Sequence, residues 1–450
     1  MIQKLKKRIS NNRLLFGNII GALFIRGLGM LFSILALPLY MSYFPDNIIL
    51  GVWFTIITVL SWILSFDLGI GSGLRNHLTK AIVKKNYIEA KELISSAYTL
   101  LGLFTVCISL FFVWFSPLVD WNRIFNIAID VFPQQQLRYC VNVIVVGIFL
   151  SFFLRLVNSI LYALQYSAAN NFISFISQFL LVGFLFVVKP SDDMIDNFKV
   201  LSYYYAGAVN IALVVATIIV FTRTKLKCCK PSFKYYNNNS AKSVMSLGIK
   251  FLIAQILYMI ISVTNEWFIA KFYGPEYCVE YQIYNKVFFS IVTLYHLALT
   301  PLWSAITKAY AEKKYTWLIK LRNTLYLSTI MLFVVLIAFL PVMQYVIDIW
   351  LGSRSIEINY LYASIFVLFG IANIWMANMS IFNSGLGVLD LTIGCNSVAV
   401  LIKVLGIVLL SGYFDSWIFV IVATLIGSIP YCVLMPIQNN RIINELKAQV

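Results

Sequence analysis

The sequence predicts an all-α integral membrane protein of about twelve transmembrane helices arranged in two six-helix lobes. Three observations carry that reading: the composition, the length of the apolar runs, and an internal repeat that divides the chain in half. Of the 450 residues, 61% are hydrophobic and 12% are charged, whereas a soluble domain carries about 25% charged residues. A soluble core could not enclose that much apolar surface. The runs Ile19 to Met41, Ile94 to Val119, Tyr139 to Leu164 and Tyr326 to Ile347 each hold at most one formal charge. About 20 such residues cross a hydrocarbon core of about 30 Å as a helix, which satisfies its own backbone hydrogen bonds where no water can. Strand-type alternation is absent, which argues against an outer-membrane barrel.

Taken in order, the apolar runs between polar breaks place spans at residues 17–41, 48–67, 94–117, 139–164, 172–189, 199–221, 248–270, 283–306, 323–349, 359–384, 390–411 and 417–437. The stretch before the first span is basic. It leads into an apolar run too long for a signal-peptide core and without a cleavage site, so it is expected to remain as the first helix. With the N-terminus in the cytoplasm, the tails and the even-to-odd loops hold 23 of the 34 Lys and Arg residues. The opposite face holds six: Arg123, Arg138, Lys189, Lys199, Lys271 and Arg354. That bias puts both termini in the cytoplasm. The net charge of +16 then reads as a basic cytoplasmic rim facing anionic membrane lipids, and no nucleic-acid partner is needed to explain it.

The halves echo one another. Leu78-Thr79-Lys80-Ala81, followed by Lys85 and Tyr87, recurs as Ile306-Thr307-Lys308-Ala309, followed by Lys313 and Tyr315, at a constant offset of 228 residues. The same offset lays the first span on the seventh, and an even number of spans per half gives a parallel pseudo-two-fold repeat about an axis along the membrane normal. The lobes are then 1–221 and 248–450, joined by a cytoplasmic linker at 222–247. That linker contains Lys225, Lys227, Lys230, Lys234 and three consecutive asparagines, a polar stretch expected to behave as a tether. The loops Arg75 to Glu92 and Lys308 to Arg322 are each expected to form an amphipathic helix on the membrane surface.

Enzyme chemistry has little to stand on. The seven cysteines are mostly inside apolar runs, no C-x-x-C pair occurs, and the histidines are His77 and His296 alone, so neither a metal site nor a disulfide framework is indicated. Cys228 and Cys229 read as plain loop thiols. No Walker A loop is present to hold ATP phosphates. Gly69, Gly71 and Gly73 follow a span and not a strand, and are expected to loosen its end or allow close helix contact. No cofactor is called for.

Charges within spans are costly and line cavities or ion paths. Arg26 lies about 13–14 Å into the first span at about 1.5 Å per residue. Arg155 falls in the cytoplasmic half of the fourth span and Lys403 near the middle of the eleventh. These three are the candidates for a cationic substrate cavity, against the plainer reading of structural ion pairs or bonds to freed carbonyls. Lys250 and Lys286 lie near span ends, where snorkelling suffices. Acids are scarcer: Asp67 closes the second span and Glu266 lies near the outer end of the seventh, and these carboxylates are the candidates for ion coupling. Tyr295 and Trp303, on the eighth span, are the candidates for stacking on a sugar. Pro38, Pro301, Pro341 and Pro430 sit in or near the ends of spans and remove backbone bonds there.

On these residues the chain resembles the Wzx-type O-antigen and polysaccharide flippases of the multidrug/oligosaccharidyl-lipid/polysaccharide (MOP) superfamily. The likeness covers the whole length and is most specific at Asp67-Leu68-Gly69-Ile70-Gly71 with Arg75-Asn76, at Thr264 to Gly274 (TNEWFIAKFYG), at Tyr281, and at Thr300-Pro301-Leu302-Trp303-Ser304 running into Ala309-Tyr310. Where the family often has an aspartate in the seventh-span motif, this chain has Asn265 with Glu266 beside it. The resemblance implies a MATE-like fold and a place in the bacterial cytoplasmic (inner) membrane. It implies flipping of undecaprenyl-pyrophosphate-linked oligosaccharide units to the outer leaflet by alternating access, for O-antigen or capsular polysaccharide and lipopolysaccharide biosynthesis. Coupling to a proton or sodium gradient and partnership with other polysaccharide-assembly membrane proteins are implied with it. The alternatives are a multidrug or organic-cation antiporter of the same fold and, less in keeping with the sequence, a membrane-embedded polysaccharide transferase or polymerase.

Overall fold

A computed structural model describes residues 69–450 apart from 126, 275, 276, 353, 354, 449 and 450. In the first two spans it describes 21, 24, 25, 27–29, 32, 36, 38–46, 48–54, 56 and 57. Arg26 and Asp67 lie outside the described residues. Ten helical segments are long and apolar enough to cross a membrane, and they match the third to twelfth expected spans one for one. No strand occurs among the described residues. The chain is a multi-pass, all-helical membrane protein.

The chain packs as two compact units, Met1–Ile249 and Lys250–Val450. In the first, α1 (Ile70–Val83), α2 (Tyr87–Phe115), α3 (Trp121–Phe125), α4 (Gln134–Leu154), α5 (Leu156–Ala163), α6 (Ser167–Val187) and α7 (Met194–Arg223) are followed by the start of α8 (Asn238–Val263). One core cluster joins Leu74 and Leu78 on α1 to Leu93, Ile94 and Ala97 on α2 and Val157 and Ile160 on α5. A second is aromatic, with Trp53 5.4 Å from Phe198 and Phe132 5.2 Å from it, ring to ring. α4 and α7 approach closely at Gly147 and Ala206, where Asn210 Nδ2 donates to both their carbonyls at 2.8 Å.

The second unit continues α8 and adds α9 (Asn265–Phe272), α10 (Tyr277–Ala311), α11 (Tyr315–Phe339), α12 (Met343–Leu351), α13 (Tyr360–Leu386), α14 (Asp390–Leu410) and α15 (Ile418–Lys447). Pro341 lies in the 3-10 turn Leu340–Val342 that separates α11 from α12, as the loss of its N–H requires. Pro301 and Pro430 lie inside α10 and α15. Lys250 does more than snorkel: its Nζ pairs with Asp390 Oδ1 at 2.6 Å.

The repeat reaches down to single dihedral angles. Lys85 and Lys313, 228 residues apart in the aligned motif, are both in the left-handed region, at φ 56° and 57°. Around Lys85 the Asn86 N–H reaches back to Ala81 O and the Lys85 N–H to Ile82 O; around Lys313 the same two bonds join Lys314 to Ala309 and Lys313 to Tyr310. This is the Schellman arrangement, which closes the last carbonyls of a helix. It recurs within each unit, at Gln165 and at Gly387. Of the two stretches expected to form amphipathic helices, Arg75 to Glu92 holds most of α1, a tight turn at Lys85 and the start of α2, while Lys308 to Arg322 holds the end of α10, a tight turn at Lys313 and the start of α11. α10 and α11 carry on past the apolar runs that hydropathy detects, and their ends meet at the turn at Lys313.

The expected tether is also ordered. Residues 224–237 lie along α2: the Ser232 N–H donates to Ser95 Oγ at 3.2 Å, the Asn237 N–H to Ser96 Oγ at 3.0 Å, and Asn237 Nδ2 to Glu92 Oε2 at 2.9 Å. Lys91 Nζ sits 3.7 Å over the Tyr235 ring. The asparagines start α8, Asn237 Oδ1 taking the Asn239 N–H at 2.9 Å as an N-cap. Leu226 and Cys229 are fully buried in this contact. Burial pushes the Cys229 thiol up to about 12, while Cys228 is exposed. In variants keeping one of the two, a water-soluble maleimide near neutral pH should modify Cys228 at least roughly 100-fold faster than Cys229, because the thiolate is the nucleophile. Equal rates would mean that the segment is loose after all.

α1 crosses the start of α8 backbone to backbone. A Cβ placed on Gly69 would lie 1.9 Å from Gly248 O, and one on Gly73 2.3 Å from Val244 O. Gly69 also has φ 73°. One turn further along α1, His77 bonds the Ser243 backbone, and burial with Lys80 nearby holds its imidazole below the usual histidine range.

Candidate functional site

The seventh expected span is broken. α8 ends at Val263 and α9 begins at Asn265, with Thr264 between them at φ −83° and ψ −1°. The local cause is Thr264 itself, whose Oγ1 donates to Ile260 O at 2.5 Å and so competes with the helix ladder. The carbonyls of the last turn of α8 are left short of partners. Lys403, fully buried on α14, supplies them: its Nζ donates to Ile261 O at 2.6 Å, to Ile260 O at 3.2 Å and to Thr264 Oγ1 at 3.0 Å. Its charge is thus taken up inside the protein by oxygens at the negative end of a helix.

α9 opens with the residues of the quoted motif. Asn265 is fully buried and its Oδ1 accepts from Thr424 Oγ1 at 3.1 Å, tying α9 to α15. Glu266 is exposed and its Oε2 accepts from Gln282 Nε2 on α10 at 2.7 Å. The structure therefore brings Lys403 and Glu266 to one helix break, where they bond different partners.

Tyr295 is part of a polar knot between helices. Its hydroxyl donates to Asn378 Oδ1 on α13 at 2.7 Å and lies 2.6 Å from Ser328 Oγ on α11. Asn378 Nδ2 goes on to Thr329 Oγ1 at 2.8 Å and Leu325 O at 3.0 Å. Trp303 lies against Phe251, with ring centroids 4.9 Å apart. In the first unit, Arg155 sits half-buried at the junction of α4 and α5, where its N–H bonds Ser151 O at 2.7 Å. Arg155 interacts electrostatically with Tyr205. The preceding turn is held by Ser151 Oγ, which reaches Asn210 Oδ1 at 3.1 Å.

Sequence reasoning missed the helix break and the asparagines that bridge helices, Asn210, Asn265 and Asn378. The Thr264-Asn265 pair inside an apolar run was the available signal, since both side chains compete with helical backbone bonds. Among the described residues no group of His, Cys, Asp and Glu could hold a metal ion.

No protein-family model matches the sequence, and no curated protein matches it. Solved structures do. The chain is similar to the Vibrio cholerae MATE transporter VcmN in its bent form, with a TM-score of 0.73 at 13% identity over 98% of each chain. It is also similar to a MOP superfamily transporter from Pyrococcus furiosus, with a TM-score of 0.69 at 14% identity over 97% of this chain and 98% of that one. The Pyrococcus protein is described as having a binding pocket of reversed polarity that suggests a different function. At these identities the likeness concerns the fold, which is MATE-like.

Proposed function

We propose that the chain is a secondary transporter that moves an anionic, lipid-linked substrate, an undecaprenyl-pyrophosphate-linked oligosaccharide, from the cytoplasmic to the outer leaflet of a bacterial inner membrane. One observation carries the reading. Among the described residues, the charged side chains that are buried are Arg75 and Lys403, and both are cations. A carrier of organic cations would instead need buried carboxylates, because a charge taken out of water must meet an opposite one. A pyrophosphate suits cations, and arginine in particular, whose planar fork binds phosphate oxygens in pairs. A pocket of reversed polarity, described for the Pyrococcus transporter as suggesting a different function, is in keeping with this reading.

In this reading Arg26 and Arg155 meet the pyrophosphate, both termini face the cytoplasm, and a proton or sodium gradient drives the cycle, with Asp67 and Glu266 as the carboxylates available to it. Arg155 is the sharper test, because it lies among the described residues and its side chain is half-buried. In cells that depend on this protein for surface polysaccharide, Arg155→Ala should lower export roughly tenfold and accumulate the lipid-linked precursor, with Arg155→Lys intermediate. Full export by well-expressed Arg155→Ala, or efflux of organic cations by the parent protein without precursor build-up on its deletion, would favour the multidrug reading.

A further inference from the structure

Lys403 is wholly enclosed, and the number of its bonds defines its state. An ammonium has three N–H donors and no acceptor, whereas a neutral amine has two donors and a lone pair. All three oxygens around Nζ act as acceptors toward it. Ile260 O and Ile261 O have no proton to give, and the Thr264 hydroxyl already spends its proton on Ile260 O at 2.5 Å. A neutral amine here would set its lone pair against that of an oxygen.

The surroundings offer no substitute. Among the described residues no carboxylate pairs with Lys403. On α8, Lys250 is paired with Asp390, the acid of Lys403's own helix, at 2.6 Å. On α9, Glu266 bonds Gln282 and Lys271 lies 4.7 Å over the Trp267 ring. On α15, Arg441 bonds Glu445 at 3.2 Å near the far end, beside Lys447. Nζ lies 5.6 Å over the Phe268 ring, whose face also favours a cation. Among the described residues, the three oxygens and the face of the Phe268 ring hold the charge.

We propose that Lys403 is a proton-binding group of this chain, and that its protonated form latches the α8–α9 break while its neutral form releases it. The ammonium joins two carbonyls of α8 to the hydroxyl of the hinge residue, so it fixes the direction in which α9 leaves α8. α9 carries Asn265, bonded to Thr424, and Glu266, bonded to Gln282, so release of the break moves both. Lys403 acts here as a positioning residue that senses protons and has no need to touch the cargo. The inference rests on the transport reading only for its consequence, that the coupling ion is a proton.

Hydrogen exchange tests it without any transport assay, so its failure would leave the substrate proposal standing or falling on its own. In the full-length protein in lipid nanodiscs, amides of residues 258–272 would be followed between about pH 6 and 10, with rates corrected for intrinsic exchange. The parent protein should be protected at the acid end and exchange roughly tenfold faster once Lys403 is neutral, the scale set by losing a charged hydrogen bond. Lys403→Met should exchange fast at every pH without a step, and Lys403→Arg should stay protected throughout because guanidinium keeps its charge. Thr264→Val removes one acceptor and keeps the lysine, so its step should move to lower pH; it serves as well if Lys403→Met fails to fold. A flat profile in the parent protein, or an unchanged step in Thr264→Val, overturns the proposal and leaves Lys403 a fixed structural bond.

Discussion

Gly73→Ala should lower the thermal stability of the purified protein, and Gly69→Val should leave little folded protein to purify. The reason is the distance between two backbones. A methyl group on Gly73 would lie 2.3 Å from Val244 O and 3.0 Å from the Gly248 N, and both are main-chain atoms that no rotamer change can move aside. Such overpacking costs about 1–3 kcal/mol. At Gly69 the clash is closer, 1.9 Å to Gly248 O, and the left-handed backbone adds about 1–2 kcal/mol for any residue with a Cβ. Gly406→Ala on α14 is the control: nothing lies within 4 Å of its added methyl, and alanine favours a helix by about 1 kcal/mol. Gly73→Ala and Gly406→Ala separate in a thermal scan read by size-exclusion fluorescence, and Gly69→Val shows as a loss of the folded peak. If Gly73→Ala melts with the parent, the crossing of α1 and α8 is looser than these distances say.

Asn378→Ala is expected to cost about 2–3 kcal/mol, because it removes three bonds between helices that in membranes average about 0.6 and reach about 1.7 kcal/mol each, and leaves a small cavity besides. Asn378 takes the Tyr295 hydroxyl at 2.7 Å and gives its amide to Thr329 Oγ1 at 2.8 Å and Leu325 O at 3.0 Å, so α10, α11 and α13 meet in one side chain. Tyr295→Phe removes a single member and should cost about 1 kcal/mol. The pair also decides what Tyr295 is for. If its ring stacks on a sugar, Tyr295→Phe keeps the ring and should export polysaccharide at the parent rate, while Tyr295→Leu should not. Equal export by Phe and Leu variants of equal stability would leave Tyr295 a scaffold residue.

The spans from the third onward were legible because each is a long apolar run, and hydropathy is additive over such a window. Their ends were less so. α2 begins at Tyr87 and α15 runs to Lys447, beyond the apolar stretch at each, because a helix continues through polar residues once its axis is set. The repeat was legible in Leu78 to Tyr87 and Ile306 to Tyr315, since those residues build the same turn. The break at Thr264 was not, because averaging over a span hides two polar residues among eighteen or more apolar ones. Lys403 stood out as a charge inside a span. Its partners lie about 140 positions earlier in the chain, and only folding joins them. Ser95 and Ser96 read as ordinary small residues of an apolar run, and nothing in them announced that residues 232–237 would dock there.

The tight turns have a consequence for how the chain is made. At one of the four, glycine fills the left-handed position, as Gly387; at two others a lysine does so, as Lys85 and Lys313, at about 1–2 kcal/mol of local strain. Each of these lysines lies just past a helix C-terminus, where its charge answers the partial negative charge of the carbonyls and recovers about 0.3–1 kcal/mol. Each also has a lysine neighbour, Lys84 and Lys314. By the positive-inside rule, a nascent hairpin with two cations at its tip is expected to stay on the side where it emerges. Glycine at Lys85 and Lys313 would give an easier turn and a hairpin less firmly anchored while the helices on either side are being inserted.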